Sequence, residues 1–578
     1  MRWLFLLLFA VFHSTLVGQS IKKIFGSPMQ VPLIVTSGFG EIRPNHFHSG
    51  IDFSTYGKAQ NIISVADGYV SRVKVSLRGY GNALYLDHPG GFTSVYGHMS
   101  EFTPELMAYV EKMQRNALEY EIDVLVDSAQ FVFKKGQVIG KSGNSGSSTA
   151  PHLHFEIRDR VNENVFNPLM FGFVEDKVEP AVFSLLLIPK DGYGTVNAST
   201  SDVRIPLLRK PKSTERYVSP KIPIPVVSGW VGFGLEGGDI IGKPGNYSGI
   251  YKIAIKVNNQ QVFNARFDEF SFEENRAVNA WIDYPMKRKA NKKYQRCVVP
   301  ANQLIGIYKS HVDQGYYEFK RDTTYQIVWE LTDMSGNKTI QTLEVKGKSA
   351  SPSVNPRKSP PQHVRVYPKG GLVSNSADFR AVFNDRCLYD TADVKFILHP
   401  AGNAYSPLLE LGSVYIPLHS GVELQFKPKV PKTELKEKLF IGRKDGKSYD
   451  ALNSSWDGDW LIAKTKEFGD FQVLIDTIAP VITYLPERKR IPKTNRYKEV
   501  PIEESKSVRL RLYDPIGGGF SWQAYLNQDW MLMKPSSRTN EWYYDLPSDL
   551  RSGTHVISVL ATDAFGNVST FELPFTLP

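Results

Sequence analysis

Gly143-Asn144-Ser145-Gly146-Ser147-Ser148-Thr149-Ala150-Pro151-His152-Leu153-His154-Phe155-Glu156 runs from a loop of small residues, through a proline, into a strand-like alternation. In a β-strand, residues i and i+2 face the same way. The spacing therefore predicts His152 and His154 on one surface, with Leu153 and Phe155 entering the core behind it. A metal centre can use such a pair unequally. One imidazole binds the ion, while the other, about 7 Å along the strand, reaches a water or substrate held there. The glycine and serine residues before the strand let a backbone approach without side-chain obstruction. An H-x-H pair by itself also suits ordinary surface or packed strand histidines.

The sequence upstream adds to that pair. Phe47-His48-Ser49-Gly50-Ile51-Asp52-Phe53 places a histidine and a carboxylate four apart in a glycine-containing segment. Zinc at a catalytic site keeps three protein ligands and one open position, a set that His48, Asp52 and His154 complete. Val95-Tyr96-Gly97-His98-Met99 supplies His98 as a further imidazole outside the ligand set. Six of the 12 histidines fall between His46 and His154, a crowding that favours a site. His46 stands two before His48 but lacks the spacing to Gly50 and Asp52, and it is read as a loop residue.

These segments resemble the lysostaphin/LytM-type zinc metallopeptidases, bacterial endopeptidases that cut the peptide part of peptidoglycan. The H-x-G-x-D pattern is His48 to Asp52, the Y-x-H segment is Tyr96 to His98, and the G-x-S-G-x-S-T-x-x-H-L-H-F-E block is Gly143 to Glu156. Val65 to Val70, Gly79 to Asn82 and Lys135 to Gly140 resemble the family's strand-and-turn scaffold, so the likeness covers roughly residues 25 to 172. The resemblance implies Zn2+ held by His48, Asp52 and His154, with His98 and His152 as the catalytic imidazoles. No H-E-x-x-H helix is present to supply a glutamate base. The base is then one of the two free histidines, whose ordinary pKa near 6.5 suits the task, and which one remains open. Glu156 shares the His154 face and is either a support for that ligand or a surface carboxylate.

The rest of the chain bounds the setting. Residues 1–18, with Arg2 ahead of the apolar run Trp3 to Phe12, read as a secretory signal peptide. A membrane-spanning helix needs about 20 apolar residues, and no such run follows, so the expectation is an exported protein of the periplasm, cell envelope or medium. With 578 residues, 42% apolar and 22% charged, the chain is globular and long enough for several domains. A formal charge of +10 suits either weak attraction to anionic envelope polymers or a plain soluble surface. No nucleic-acid motif occurs, and the oligomeric state is not readable. Cys297 and Cys387 are far apart in sequence, and separate buried thiols are expected, although export permits a disulfide.

The fold expected is mainly β. An antiparallel LytM-type peptidase domain occupies 19–175, with a helical insertion at about 103–121 that opens on Thr103-Pro104 and turns Leu106, Val110, Met113 and Ala117 inward. It is either an extra packing helix or a wall of the cleft. β-Sandwich modules follow at 176–347 and 476–578, with a Pro/Ser-rich linker at 348–361 and a β-rich module of uncertain type at 362–475. Two D-x-x-G-N hairpins, around Asp333 to Asn337 and Asp563 to Asn567, resemble those of bacterial immunoglobulin-like modules. The tail is expected to fold without the peptidase domain. Its Trp456 and Trp460 are read as core residues, or else as exposed aromatics for a glycan.

The function expected is zinc-dependent hydrolysis of peptide bonds in peptidoglycan. The alternatives are a non-enzymatic wall-binding or regulatory protein that keeps the fold, and a zinc protease acting on Gly-rich proteins.

Overall fold

Short apolar runs of period two, broken by glycine turns, build the front of the chain as strands. The computed structural model describes residues 24–210, 216–241, 246–349, 359–402, 404–430, 432–490, 492, 497–536 and 540–578. The signal peptide expected at 1–18 and most of the linker expected at 348–361 lie outside these residues.

The first domain is organised by one twisted sheet. Its strands are β1 (Val35–Ser37), β2 (Ile51–Ser54), β3 (Gly68–Val75), β4 (Ala83–His88), β5 (Phe92–Gly97), β6 (Ile122–Leu125) and β7 (His152–Asp159). They pair antiparallel in the order β1-β2-β7-β5-β4-β3-β6. Phe53, Leu84, Leu86, Tyr96, Leu153 and Phe155 enter one core, to which a small sheet of Asn61–Ile63, Met99–Phe102 and Val138–Ser142 adds Ile62, Met99 and Ile139. The alternation predicted for His152 to Phe155 is therefore present: Leu153 and Phe155 are inside, and the histidines are on the other face.

The insertion is the helix α1 (Pro104–Ala117), entered from extended Thr103 and closed by Leu118 in the left-handed conformation. Its buried face is Leu106, Val110 and Gln114, with Met113 half-buried, whereas Ala117 is exposed. The predicted stripe fails at its last turn because Gln114 is drawn inward to donate to the Tyr120 carbonyl at 2.6 Å. Beyond the helix, Tyr120 packs edge-on against Trp542 of the last module, ring centroids 5.7 Å apart. The insertion thus packs on the core of its own domain and docks the end of the chain.

The tail is built of sheets. An eleven-stranded assembly spans the region up to Gly347, six- and five-stranded sheets share the next core, and two four-stranded sheets face each other at the end. Both D-x-x-G-N hairpins form, Thr324–Thr332 with Lys338–Gly347 and Gly553–Asp563 with Val568–Leu577. Gly336 (φ 95°) and Gly566 (φ 76°) take the left-handed turn position that β-carbons disfavour. Trp456 and Trp460 are half-buried and capped by cations, Lys436 over the first and Arg380 over the second. Cys297 and Cys387 are buried free thiols.

The expectation of a tail that folds alone meets a shared core instead. Phe39, Ile42, Phe47 and Val165 of the front domain lie in one cluster with Leu185, Phe233, Phe267 and Phe270. The front sheet itself continues across the boundary, because Val165–Phe166 pairs with Glu269–Phe270. Phe47 is wholly buried, 5.3 Å from the Phe267 ring, and its N–H donates to the Asn275 side chain at 2.5 Å. Phe47→Ala is expected to cost about 3–5 kcal/mol, as large-to-small changes in a packed core do. Calorimetry would show front domain and first module losing stability together; a shift confined to one transition would mean that the two cores are independent.

Candidate metal centre

The register of β7 assembles the site. His154 lies opposite Asp52 on β2 and opposite Gly97 on β5, so one face of three strands presents His154, Asp52 and the turn that carries His98. His48 comes from the approach to β2. Gly50, between them, has no room for a side chain: a β-carbon there would meet the Phe155 carbonyl at 2.5 Å and His154 Cε1 at 2.8 Å. That contact is the physical reason for glycine in H-x-G-x-D.

Three ligand atoms converge. His48 Nε2 is 3.1 Å from His154 Nδ1 and 3.1 Å from Asp52 Oδ1, and His154 Nδ1 is 2.9 Å from the same oxygen. All three residues are buried. Two imidazole nitrogens and a carboxylate oxygen on so small a triangle form a donor set that could hold a metal ion, as one face of a tetrahedron.

Each ring is oriented from behind. His48 Nδ1–H donates to the Gly38 carbonyl at 2.9 Å, which leaves Nε2 as its lone-pair nitrogen. His154 is set the opposite way: Nε2–H donates to Glu156 Oε1 at 2.8 Å, and Nδ1 faces Asp52. Glu156 is fully buried and is no surface carboxylate. It accepts from Ser49 and Tyr80 at 2.6 Å each and pairs with Arg158 at 2.6 Å. Burial alone would raise its pKa, but Arg158 and the His154 hydrogen bond hold it well below the carboxylate range. His154, which burial alone would depress, is raised to about 9 by its bonds to Asp52 and Glu156.

The two remaining histidines face each other across the same floor, ring centroids 4.7 Å apart. His98 Nδ1–H donates to the Ser145 carbonyl and His152 Nδ1–H to the Ala150 carbonyl, both at 2.8 Å. Carbonyls only accept, so in each neutral ring Nε2 is left as the base. His152 Nε2 lies 3.6 Å from Asp52 Oδ1, beside the ligand atoms. His98 adopts φ 60°, an uncommon conformation for a side-chain-bearing residue. Burial, followed by the neighbouring His154 and His152, lowers its pKa to about 4, so it is uncharged at neutral pH. The loop that places these acceptors closes backbone to backbone: a β-carbon on Gly146 (φ 72°) would lie 2.3 Å from the Gly81 nitrogen.

Of the residues named from sequence, His48, Asp52, His98, His152 and His154 meet at one place. His46 does not; it is exposed on a hairpin and bonded to the Pro44 carbonyl. Sequence reading missed Arg43, whose Nη2 donates to Asp52 Oδ2 at 2.7 Å, and Arg158. Arg158 had a readable signal, because it follows Glu156 by two on the same strand face. Arg43 had none, since its position depends on how a loop folds back.

Residues 46–117 and 120–168 match the profile of peptidase family M23, and residues 369–476 match that of a Zu5-like domain. An uncharacterised metalloprotease of Haemophilus influenzae is 33% identical over 162 residues, 26% of this chain and 28% of the relative. A DD-carboxypeptidase/endopeptidase Mpg of Neisseria meningitidis serogroup B is 31% identical over 122 residues, 21% and 22% of the two chains. The murein hydrolase activator NlpD of Escherichia coli is 32% identical over 124 residues, 22% and 26% of the two. The chain thus spans about a quarter of the length of these relatives. Fold and site together define a LytM-type metallopeptidase domain. This chain carries it in its first third, as a domain of peptidase family M23.

The support behind His154 makes a prediction. Glu156→Gln keeps the shape but removes the charge that faces the ligand, so metal affinity is expected to fall about 10–100-fold, the usual cost of altering a ligand's partner. Competition with a chromogenic chelator would measure it. Unchanged affinity would make Glu156 a packing residue only.

Proposed function

We propose that the protein is an exported zinc-dependent endopeptidase that hydrolyses peptide bonds in peptidoglycan, with His48, Asp52 and His154 as ligands and His98 and His152 as catalytic residues. The observation that carries this reading is the convergence of His48 Nε2, Asp52 Oδ1 and His154 Nδ1 beside two imidazoles that keep Nε2 free. When bound, the ion supplies Lewis-acid polarisation of a carbonyl and lowers the pKa of water to about 7. His48 and His154 are held in the ligand tautomers by Gly38 and Glu156, which reduces reorganisation on binding. One of His98 and His152 takes the proton of the attacking water and returns it to the leaving amine. The other hydrogen-bonds to the oxyanion of the tetrahedral intermediate.

Peptidoglycan as substrate rests on the motif resemblance and on the names of the Neisseria and Escherichia relatives. Among the described residues no helix is long and apolar enough to cross a membrane. The modules at 176–347 and 476–578 are read as immunoglobulin-like sandwiches that carry the peptidase in the envelope. The likeness to an activator keeps a second reading, in which the domain binds the wall without cutting it. The experiment is digestion of purified peptidoglycan by the zinc-loaded chain, with new amino termini identified by mass spectrometry. New termini within the stem or cross-bridge peptides support hydrolysis; none, with zinc stoichiometric, would leave the binding role.

A further inference from the structure

Beyond the peptidase centre, two other carboxylate groups recur in the same construction. Asp176 and Asp476 each stand four residues before a proline, Pro180 and Pro480, at the start of the first and last tail modules. In each, Oδ1 accepts an N–H two residues on, from Val178 at 3.0 Å and from Ile478 at 2.8 Å. Asp239 and Asp514 follow the strands Val226–Gly238 and Ser507–Tyr513, with Oδ1 on the N–H of Ile240 and Ile516 respectively. Asp333 and Asp563 open the D-x-x-G-N turns. There Asn337 and Asn567 hold both carboxylate oxygens through backbone and side-chain N–H groups at 2.6–2.8 Å. The same asparagines reach back to the carbonyls of Asp176 and Asp476, at 3.1 and 3.3 Å. Each trio brings three oxygen atoms within 4.8 Å of one another.

Hydrogen bonding accounts for the shape of each trio but leaves oxygens over. Asp476 has no exposed surface, and its Oδ2 is buried with no hydrogen-bond partner, in a carboxylate that lies within 4.8 Å of the other two. Oδ2 of Asp514 and Oδ2 of Asp176 are likewise buried and unpartnered. Three carboxylates at this separation repel strongly in a medium of low dielectric constant. No lysine or arginine among the described residues forms an ion pair with any of the six. Beside the second trio, the Lys438 ammonium bonds to Asn567 Oδ1 and to the Phe565 carbonyl instead of to a carboxylate.

We propose that each trio is a Ca2+ site, one formed by Asp176, Asp239 and Asp333 and the other by Asp476, Asp514 and Asp563. Oxygen-only donors select a hard cation over zinc. Three carboxylates, bound through one or both oxygens and completed by water, suit the six to eight oxygens and loose geometry of Ca2+ better than the strict octahedron of Mg2+. The expected affinity is that of extracellular modules, Kd about 10⁻⁴–10⁻³ M. Each ion ties the segment entering a module to two loops of that module. It thereby stiffens the junction with the preceding domain, where Phe440 also packs on Phe565 with ring centroids 4.9 Å apart.

The test uses the full chain with its peptidase metal in place, and its readouts are independent of peptidase activity. Equilibrium dialysis against millimolar Ca2+ is expected to find two ions per chain. Asp239→Asn and Asp514→Asn are each expected to lose one ion, and the double variant both. Saturating Ca2+ is expected to raise the melting temperature of the wild-type modules by about 5–10 °C, the shift that binding at a hundredfold excess over Kd gives. A wild-type chain that binds no Ca2+ at millimolar concentration, or binds it undiminished in the double variant, would overturn the proposal. So would a melting shift given by Mg2+ and not by Ca2+. If a variant fails to fold, the wild-type stoichiometry and melting shift decide alone.

Discussion

His154→Ala is expected to yield a folded chain that purifies with little zinc and does not cut peptidoglycan. The substitution takes one vertex from a triangle whose other corners are His48 Nε2 and Asp52 Oδ1. Two protein ligands do not make a catalytic zinc site. The change also leaves Glu156 buried beside Arg158, without the N–H it accepts at 2.8 Å. Much of the surrounding network survives, because Ser49, Tyr80 and Arg158 still hold that carboxylate. Metal analysis by inductively coupled plasma mass spectrometry, alongside a melting curve, separates loss of the ion from loss of the fold. A variant that keeps stoichiometric zinc would show that the strand ligand has been misassigned.

The two free imidazoles should behave in the opposite way. His98→Ala and His152→Ala leave all three ligand atoms in place, so zinc is expected to stay near one per chain while turnover falls about 10²–10⁴-fold, the scale of losing an acid-base group or an oxyanion donor. The pair acts on one reaction from 4.7 Å apart, so the double variant should lose far less than the product of the single losses. Zinc content and kcat on a defined stem-peptide substrate are the two measurements. Full activity in either single variant would make that histidine a bystander. Loss of metal from His152→Ala would exchange its role with that of His154.

How much of this was legible in sequence depended on how local the interactions are. The full set with His48, Asp52 and His98 came from the resemblance of their motifs, whereas period-two spacing put His152 and His154 on one face, and a period of two survives whatever packs behind it. The helix start at Thr103-Pro104 was readable for the same reason, since capping is decided within one turn. The end of its buried stripe was not. Gln114 goes inward for a carbonyl at Tyr120, and Tyr120 is itself held by Trp542 from the far end of the chain. The separate tail failed similarly. Phe39, Phe47 and Phe270 stand in segments far apart along the chain, and nothing local says that they share one core.

The sequence by itself determined the strand that carries His152 and His154 on one face, and its motifs, through their resemblance, supplied the donor set His48, Asp52 and His154. The shared face follows from period-two geometry, whereas the structure shows why Gly50 must lack a β-carbon. Only the tertiary structure decided which nitrogen of each imidazole is free, because the deciding acceptors, Gly38, Ser145, Ala150 and Glu156, depend on how loops and strands pack. It also decided that Arg43 steadies Asp52 and that aspartates from three separated segments meet twice in the tail. Contacts between distant segments arise when buried surface pulls those segments together, and spacing along one segment carries no record of them.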